Sequence, residues 1–151
     1  MPARIANNSY NTNLASEYLM MSMLCRAGKD AYLSLGNKKG VDIMIKTEKE
    51  ALCILEVKGV NKKMDWLIGN SGNFPCADNL FYALICFDGN IEDVNASAFY
   101  YLIPSMVIKK QKDYATAGNG KTIFLRHKTI KEKYESYKNN LSALNKYLKS
   151  N

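Results

Sequence analysis

The chain is poor in the residues that most metal and acid–base sites use. It has a single histidine, His127, and its four cysteines, at 25, 53, 76 and 86, include no Cys-x-x-Cys pair. A structural zinc site is therefore not expected, and small buried thiols are favoured over a disulfide framework. Nothing in the sequence around His127 indicates a catalytic base, so we expect this histidine at the surface.

Long apolar runs are also missing. No run approaches the roughly 20 residues that a membrane-spanning helix needs. The first residues, MPARIANNSYNTN, lack the apolar segment of a signal peptide. Free thiols are typical of a reducing compartment. We therefore expect a cytoplasmic protein with no membrane partner.

Basic residues are in excess. The chain has 21 Lys and Arg against 14 Asp and Glu, which gives a net charge of +7. Such a surplus favours polyanionic partners, nucleic acid above all. The 151 residues, 47% of them hydrophobic, suit one domain with its own core, spanning 1–151.

The first periodic segment predicts a helix over residues 11–27. Asn and Thr at 11–13 are good N-caps, and Gly28 is a natural stop. The apolar positions recur at helical spacing: Leu14, Tyr18, Met21 and Leu24. The polar residues 1–10 are expected to be loose.

Several short segments rich in β-branched and aromatic residues predict strands. They cover 31–35, 41–46, 51–58, 80–87 and 99–103. The tight turn TEKE joins the second and third, which predicts a hairpin. Pro104 suits the opening of a helix. Together these elements predict an α/β domain with a central mixed sheet of about five strands flanked by helices.

The motif AGNGKT at 117–122 has the lysine of a phosphate-binding P-loop. However, Ala115 stands where that motif needs a glycine. We interpret the segment as a turn leading into the strand IFLRH.

The last third predicts a long amphipathic helix over 129–149. Thr129 and Glu132 have the spacing of a capping box. Apolar residues follow at steps of four and three: Ile130, Tyr134, Tyr137, Leu141, Leu144 and Leu148. Packing against the domain is the favoured interpretation. A dimer seam, giving a homodimer, is the alternative, because such steps also suit a coiled coil.

The segment CILEVKG carries two charges on an otherwise apolar strand. Side chains alternate along a strand, so Glu56 and Lys58 share one face. If the hairpin turn is centred on Lys49, Asp42 falls opposite Glu56, with Cβ atoms about 4.5–5.5 Å apart. The register of this hairpin therefore decides whether the two carboxylates meet.

Two carboxylates so close repel each other unless a cation lies between them. Carboxylate oxygens suit Mg²⁺, which takes one or two carboxylates together with waters and substrate phosphates. Lys58 adds a compact positive charge that can hold a phosphate or orient a water. Two acids and a lysine around a divalent ion predict phosphodiester cleavage.

These residues resemble a known family. Asp42, 13 intervening residues and Glu56-x-Lys58 resemble the PD-(D/E)xK nuclease superfamily, which has the restriction-endonuclease-like fold. The order of a helix and a three-strand meander is similar too, and FYYLIPS at 99–105 looks like a segment of small bacterial and phage-type members. Val41 replaces the usual proline. The resemblance implies a crossover helix after Lys58 and then another strand.

The resemblance also implies a Mg²⁺- or Mn²⁺-dependent nuclease that acts on DNA. Asp42, Glu56 and the Val57 carbonyl would hold the metal. Lys58 would position or activate the water. Glu17, on the leading helix, would be an accessory metal ligand.

The basic residues most suited to contacting nucleic acid are Lys38, Lys39, Lys62 and Lys63. Two other interpretations stay open. One is a catalytically inactive nuclease-like domain that binds nucleic acid or a protein partner. The other is an α/β interaction module in which the C-terminal helix pairs two chains.

Overall fold

The computed structural model describes residues 4–34 and 40–151, with side chains from Ser9 onward. This part of the chain forms four helices and eight strands. The helices are α1 (Arg4–Arg26), α2 (Ser105–Gln111), α3 (His127–Lys133) and α4 (Ser142–Ser150). The strands are β1 (Ala31–Leu33), β2 (Ile43–Lys46), β3 (Leu52–Asn61), β4 (Trp66–Gly69), β5 (Leu80–Phe87), β6 (Ala98–Pro104), β7 (Ala115–Thr116) and β8 (Ile123–Leu125).

Five strands form a mixed sheet in the order β1-β2-β3-β5-β6. β1, β2 and β3 are an antiparallel meander, β5 lies parallel to β3, and β6 is antiparallel to β5. The predicted α/β class and five-stranded mixed sheet are confirmed. The apolar run at β5 was the clearest strand signal, because a central strand is buried on both faces.

Both faces of this sheet are covered. One face packs against α1 and α4, where Met20, Leu24 and Leu144 meet Val57. The other face packs against Trp66, the second sheet and α3. A strand covered on one face only would turn Tyr100 or Tyr101 toward solvent, but both are buried here, with exposed fractions of 8% and 1%.

The connection from β3 to the parallel β5 differs from the crossover helix that the family resemblance implied. It contains β4, which joins β8 and β7 in a three-stranded sheet. Trp66 and Ile68 are buried while Leu67 is exposed, an alternation that fits a strand and not a helix. The loop GNSGNFP that follows has the glycine, asparagine and proline content of irregular backbone.

The turn before β8 is the one expected from the sequence. Asn119 Oδ1 accepts hydrogen bonds from the N–H groups of Lys121 and Thr122, at 2.9 and 3.0 Å. The AGNGKT segment therefore closes the hairpin between β7 and β8.

Helix α1 begins earlier than predicted. It runs from Arg4, so the residues before Asn11 that the structure describes are helical rather than loose. Thr12 and Ser16 are buried, so packing on the sheet begins before Leu14, the first position of the predicted apolar stripe, and uses small polar residues as well. Tertiary packing thus overrides the local capping preference. The helix stops at Gly28 as predicted, with φ of +73°.

The predicted single helix over 129–149 is wrong. α3 ends at Lys133, a 3₁₀ turn covers Glu135–Tyr137, and α4 begins only at Ser142. Asn139 causes the break: its N–H donates to Tyr100 O at 2.8 Å, and its Oδ1 accepts from Tyr100 N–H at 3.1 Å. This segment therefore covers the edge of β6, which a continuous helix could not do.

The apolar stripe of this region belongs to the core of the domain. Ile130, Tyr134, Leu144 and Leu148 are buried within the chain. The coiled-coil seam is therefore wrong as an interpretation of these residues. The capping box is wrong too, because α3 begins before Thr129.

Two smaller points complete the fold. Cys53 and Cys86 are buried, as expected for small apolar side chains, whereas Cys25 is exposed. None of the described helices is both long enough and apolar enough to cross a membrane.

Candidate active site

The hairpin between β2 and β3 has the register on which the site prediction depended. Ile43 pairs with Leu55, and Lys46 pairs with Leu52. The turn is closed by Thr47 N–H, which donates to Ala51 O at 2.8 Å. One step beyond Ile43 and Leu55, this register aligns Asp42 with Glu56.

Asp42 directly precedes β2, at the point where β3 extends beyond the hairpin and keeps only β5 as its partner. Its Oδ2 accepts a hydrogen bond from Val57 N–H at 2.7 Å, and its own N–H donates to Leu55 O at 3.1 Å. Burial raises the pKa of Asp42, although the Val57 hydrogen bond and the positive charge of Lys58 oppose that rise. The carboxylate is thus fixed against the backbone of the strand that carries Glu56.

The carbonyl of Val57 faces the same edge as the Asp42 carboxylate. Even-numbered residues of β3 bond toward β5, as Ile54 N–H does to Asn79 O at 2.8 Å. The N–H and C=O of one strand residue point to the same side. Because Val57 N–H points to Asp42, its carbonyl oxygen does so as well.

Glu56 and Lys58 form an ion pair on the floor of the site. Lys58 Nζ lies 2.8 Å from Glu56 Oε1. The side chain of Lys58 is 28% exposed and that of Glu56 is 7% exposed. Glu56 is aligned with Tyr82 of β5. Burial raises the pKa of Tyr82, and the negative charge of Glu56 raises it further.

Glu17 reaches the same region from α1. Burial raises the pKa of Glu17, the charge of Asp42 raises it further, and Lys58 lowers it. The two carboxylates and the ammonium thus act on one another electrostatically.

A close approach of α1 to β3 brings Glu17 to this position. A Cβ on Gly59 would overlap Ser16 Oγ and lie 2.8 Å from Ser16 Cβ and 3.0 Å from Thr12 O. Ser16 is fully buried there and its hydroxyl donates to Thr12 O at 2.6 Å. Only glycine leaves room for the helix at this distance.

One open cleft of about 1400 Å³ is lined by all the candidate site residues: Glu17, Asp42, Glu56, Val57 and Lys58. Its floor is the part of β3 that extends beyond β2, from Val57 to Asn61. One wall is α1, with Ser9, Asn13 and Glu17. The opposite wall is β4 and the loop after it, together with the turn before it: Met64, Asp65, Leu67, Ile68, Gly69, Asn70, Ser71 and Pro75.

The charge inside the cleft is opposite to that of the whole chain. The described lining residues include four acids, Glu17, Asp42, Glu56 and Asp65, and a single cation, Lys58. The chain as a whole carries +7. An acidic recess in a basic protein attracts cations locally while its surroundings attract anions.

The predicted nucleic-acid lysines lie at the rim or outside the described residues. Lys62 and Lys63 are exposed in the turn between β3 and β4. Both have left-handed backbone, with φ of 53° and 59°, a conformation that costs a non-glycine residue about 1–2 kcal/mol. Lys38 and Lys39 lie outside the described residues.

The donor set at the strand edge suits a small divalent cation in part. Asp42, Glu56 and the Val57 carbonyl offer two carboxylates and one neutral oxygen, which is what Mg²⁺ takes alongside waters. Among the described residues, however, no three or more His, Cys, Asp or Glu side chains are grouped closely enough to hold a metal. Glu17 therefore lines the cleft without completing a three-acid group.

His127 lies elsewhere and is not at the surface, so that expectation is wrong. Its ring stacks on Trp66 with centroids 4.9 Å apart, and its backbone N–H donates to Asp65 Oδ1 at 2.8 Å. Within the part of the chain described, its buried Nδ1 has no hydrogen-bond partner. Burial lowers the pKa of this imidazole. Its role is to join α3 to β4.

Sequence reasoning missed the Gly59–Ser16 contact and the β4 wall. The signal for the first was available: a glycine directly after Glu56-x-Lys58, facing a helix with a small residue. The only sequence signal for the β4 wall was the alternation of side chains in WLIG. Searches of protein-family models, curated proteins and solved structures found no match to this chain.

Proposed function

We propose that the protein is a Mg²⁺- or Mn²⁺-dependent nuclease of the PD-(D/E)xK type that cleaves DNA, on a restriction-endonuclease-like core. The observation that carries the proposal is the hydrogen bond from Val57 N–H to Asp42 Oδ2. It fixes the Asp42 carboxylate against β3, at the residue that lies between Glu56 and Lys58, which form an ion pair. The residue types, their spacing and the edge that they share are those that phosphodiester hydrolysis needs.

Each group has a role in this proposal. Asp42, Glu56 and the Val57 carbonyl would hold the ion, and Glu17 would act on it through water. A bound Mg²⁺ would polarise the phosphodiester and lower the pKa of a coordinated water. Lys58, which is more exposed than its partner Glu56, would orient the attacking water or bind a phosphate oxygen.

The basic rim would supply affinity for the rest of the DNA. Lys62 and Lys63 stand next to the cleft residues Asn61 and Met64. Contacts between lysines and phosphates release counterions, so binding should weaken steeply with salt.

DNA cleavage tests the proposal, with plasmid and single-stranded circular DNA as the two substrates. Wild type with Mg²⁺ should cleave at least one of them, EDTA should stop it, and Lys58→Ala should lower the rate by about 100-fold or more. Lys46→Ala is the matched control, because Lys46 lies on the neighbouring strand, pairs with Glu50 at 3.1 Å and does not line the cleft. Equal rates for wild type and Lys58→Ala would contradict the role of Lys58.

One observation favours a second candidate, a nuclease-like domain that binds nucleic acid or a protein without cutting. The Glu56–Lys58 pair at 2.8 Å neutralises both charges without any metal. Calorimetry with Mn²⁺ on wild type and Glu56→Gln separates the candidates. The nuclease requires binding that Glu56→Gln weakens, and the second candidate requires none in either protein.

A further inference from the structure

The wall of the cleft that faces α1 carries exposed apolar side chains. Met64 and Leu67 are 59% and 60% exposed, and Pro75 lines the same wall. The neighbours of Leu67 in β4, Trp66 and Ile68, are buried and hold the strand rigidly. Apolar side chains displayed on the rigid wall of a cleft are typical of a surface that contacts the flat or apolar part of a ligand.

The reacting groups lie at the bottom of this cleft. Glu56 is almost completely buried, and Lys58 is less than one-third exposed. A duplex carries its phosphates on the outside of a wide cylinder, whose grooves alone measure about 12 and 6 Å. Base pairing keeps the bases of a duplex inside that cylinder. Only an unpaired strand can turn its bases toward the exposed side chains of Met64 and Leu67 while one of its phosphates reaches Lys58.

The charge of the cleft leads to the same conclusion. Proteins gain most of their affinity for a duplex from many contacts between cationic side chains and phosphates. Lys58 is the one cation among the described residues that line the cleft, and four acids line it as well. The interior can therefore hold one phosphate, whereas its apolar wall and the amides of Asn61 and Asn70 suit unstacked bases.

We propose that the cleft binds a single unpaired DNA strand, with one phosphate at Lys58 and the neighbouring bases against Met64, Leu67 and Pro75. This inference rests on the proposed nuclease function and names its substrate as single-stranded DNA. The Lys62–Lys63 turn then contacts the phosphates of the strand where it leaves the cleft.

Fluorescence anisotropy tests the inference without relying on cleavage. A labelled single strand of mixed sequence and the same strand annealed to its complement are titrated at fixed salt with Ca²⁺ in place of Mg²⁺, so that a divalent cation can offset the carboxylates of the cleft. We expect the single strand to bind at least tenfold more tightly. Leu67→Ser should weaken single-strand binding by about fivefold, as expected for one lost apolar contact. Leu52→Ser is the control, because Leu52 is similarly exposed at the far end of β3, outside the cleft.

The inference is overturned if the duplex binds as tightly as the single strand, or if Leu67→Ser and Leu52→Ser both bind like wild type. Circular dichroism of both variants checks that they are folded. Failure of the nuclease proposal is separate, because it appears as DNA that is not cleaved, or as cleavage that does not depend on Lys58. A preference for single strands without any cleavage would support this inference and favour the binding domain.

Discussion

The backbone of Gly59 and the side chain of Ser16 are in direct contact where α1 packs on β3. Gly59 directly follows Lys58, and Ser16 directly precedes Glu17. The contact therefore sets how far Glu17 stands from Asp42 and Lys58. It is the point at which the packing of the fold and the geometry of the candidate site depend on the same atoms.

Gly59→Ala should disturb both the packing of α1 on β3 and the geometry of the candidate site. The added methyl group overlaps Ser16, and such overpacking costs about 1–3 kcal/mol. We expect a lower free energy of urea unfolding and slower DNA cleavage. Gly118→Ala is the control, because a Cβ there meets nothing within 4 Å. Ser16→Gly combined with Gly59→Ala should recover part of the loss, and a double variant no better than Gly59→Ala would contradict the contact.

Asp42→Asn separates charge from hydrogen bonding. The amide oxygen can still accept from Val57 N–H, so the fold should persist, but the carboxylate that would hold a metal is gone. We expect Mn²⁺ to raise the melting temperature of wild type and leave that of Asp42→Asn unchanged. Asp42→Ala also removes the acceptor and should cost about 1–2 kcal/mol.

The raised pKa of Asp42 also predicts the stability of Asp42→Asn at neutral pH. Its pKa in the fold is above the ordinary value of 3.8, so folding favours the protonated form. The stability from this group is present below pH 3.8 and falls as pH rises through the folded-state pKa. At pH 7 without metal, Asp42→Asn should be at least as stable as wild type. A clearly less stable Asp42→Asn would contradict this account of the shift.

His127 should make the protein less stable in mild acid. Its folded-state pKa is below the ordinary 6.5, mainly because of burial. Its contribution is therefore complete above about pH 6.5 and falls as pH drops from there toward the folded-state pKa. It is the chain's single histidine, so His127→Phe, which can still stack on Trp66, should flatten the stability profile between pH 7 and 5.5. An unchanged profile would show that the imidazole does not titrate as the burial requires.

Asn139 should be more important than its exposure suggests. It has φ of +49° and exchanges two hydrogen bonds with Tyr100. Asn139→Ala loses one of these bonds and strains the backbone, so we expect a loss of about 1–3 kcal/mol in urea unfolding. Asn145→Ala, on the exposed face of α4, is the control and should have little effect. Equal stability of the two variants would contradict the bridging role of Asn139.

The meander and its register could be predicted because the sequence alternates clearly there. Ile43 and Ile45 must share a face with Cys53 and Leu55. A shift of the strand register by one residue would place one of these two apolar pairs on the opposite face of the sheet. The alignment of Asp42 with Glu56 followed from that constraint. Local information was sufficient because only three residues lie between Thr47 and Ala51, whose backbone hydrogen bond closes the turn.

Two features that could not be predicted from the sequence share a different cause. Tyr100 and Tyr101 are both buried because α4 and the second sheet, distant in sequence, cover both faces of β6. The C-terminal helix is broken because Asn139 meets the edge of that same strand. The crossover helix was implied by resemblance, whereas the residues there alternate as a strand does. The burial of the two tyrosines and the break in the helix both depended on contacts between distant segments, which periodicity does not encode.

The position of a bound Mn²⁺ ion tests the central claim most directly. Crystals soaked in Mn²⁺ would show the ion by its anomalous signal. We predict one ion at the start of the open part of β3, with oxygens of both Asp42 and Glu56 at about 2.1 Å and the Val57 carbonyl beside it. A cleft without an ion, or an ion that contacts neither carboxylate, would contradict the proposed site.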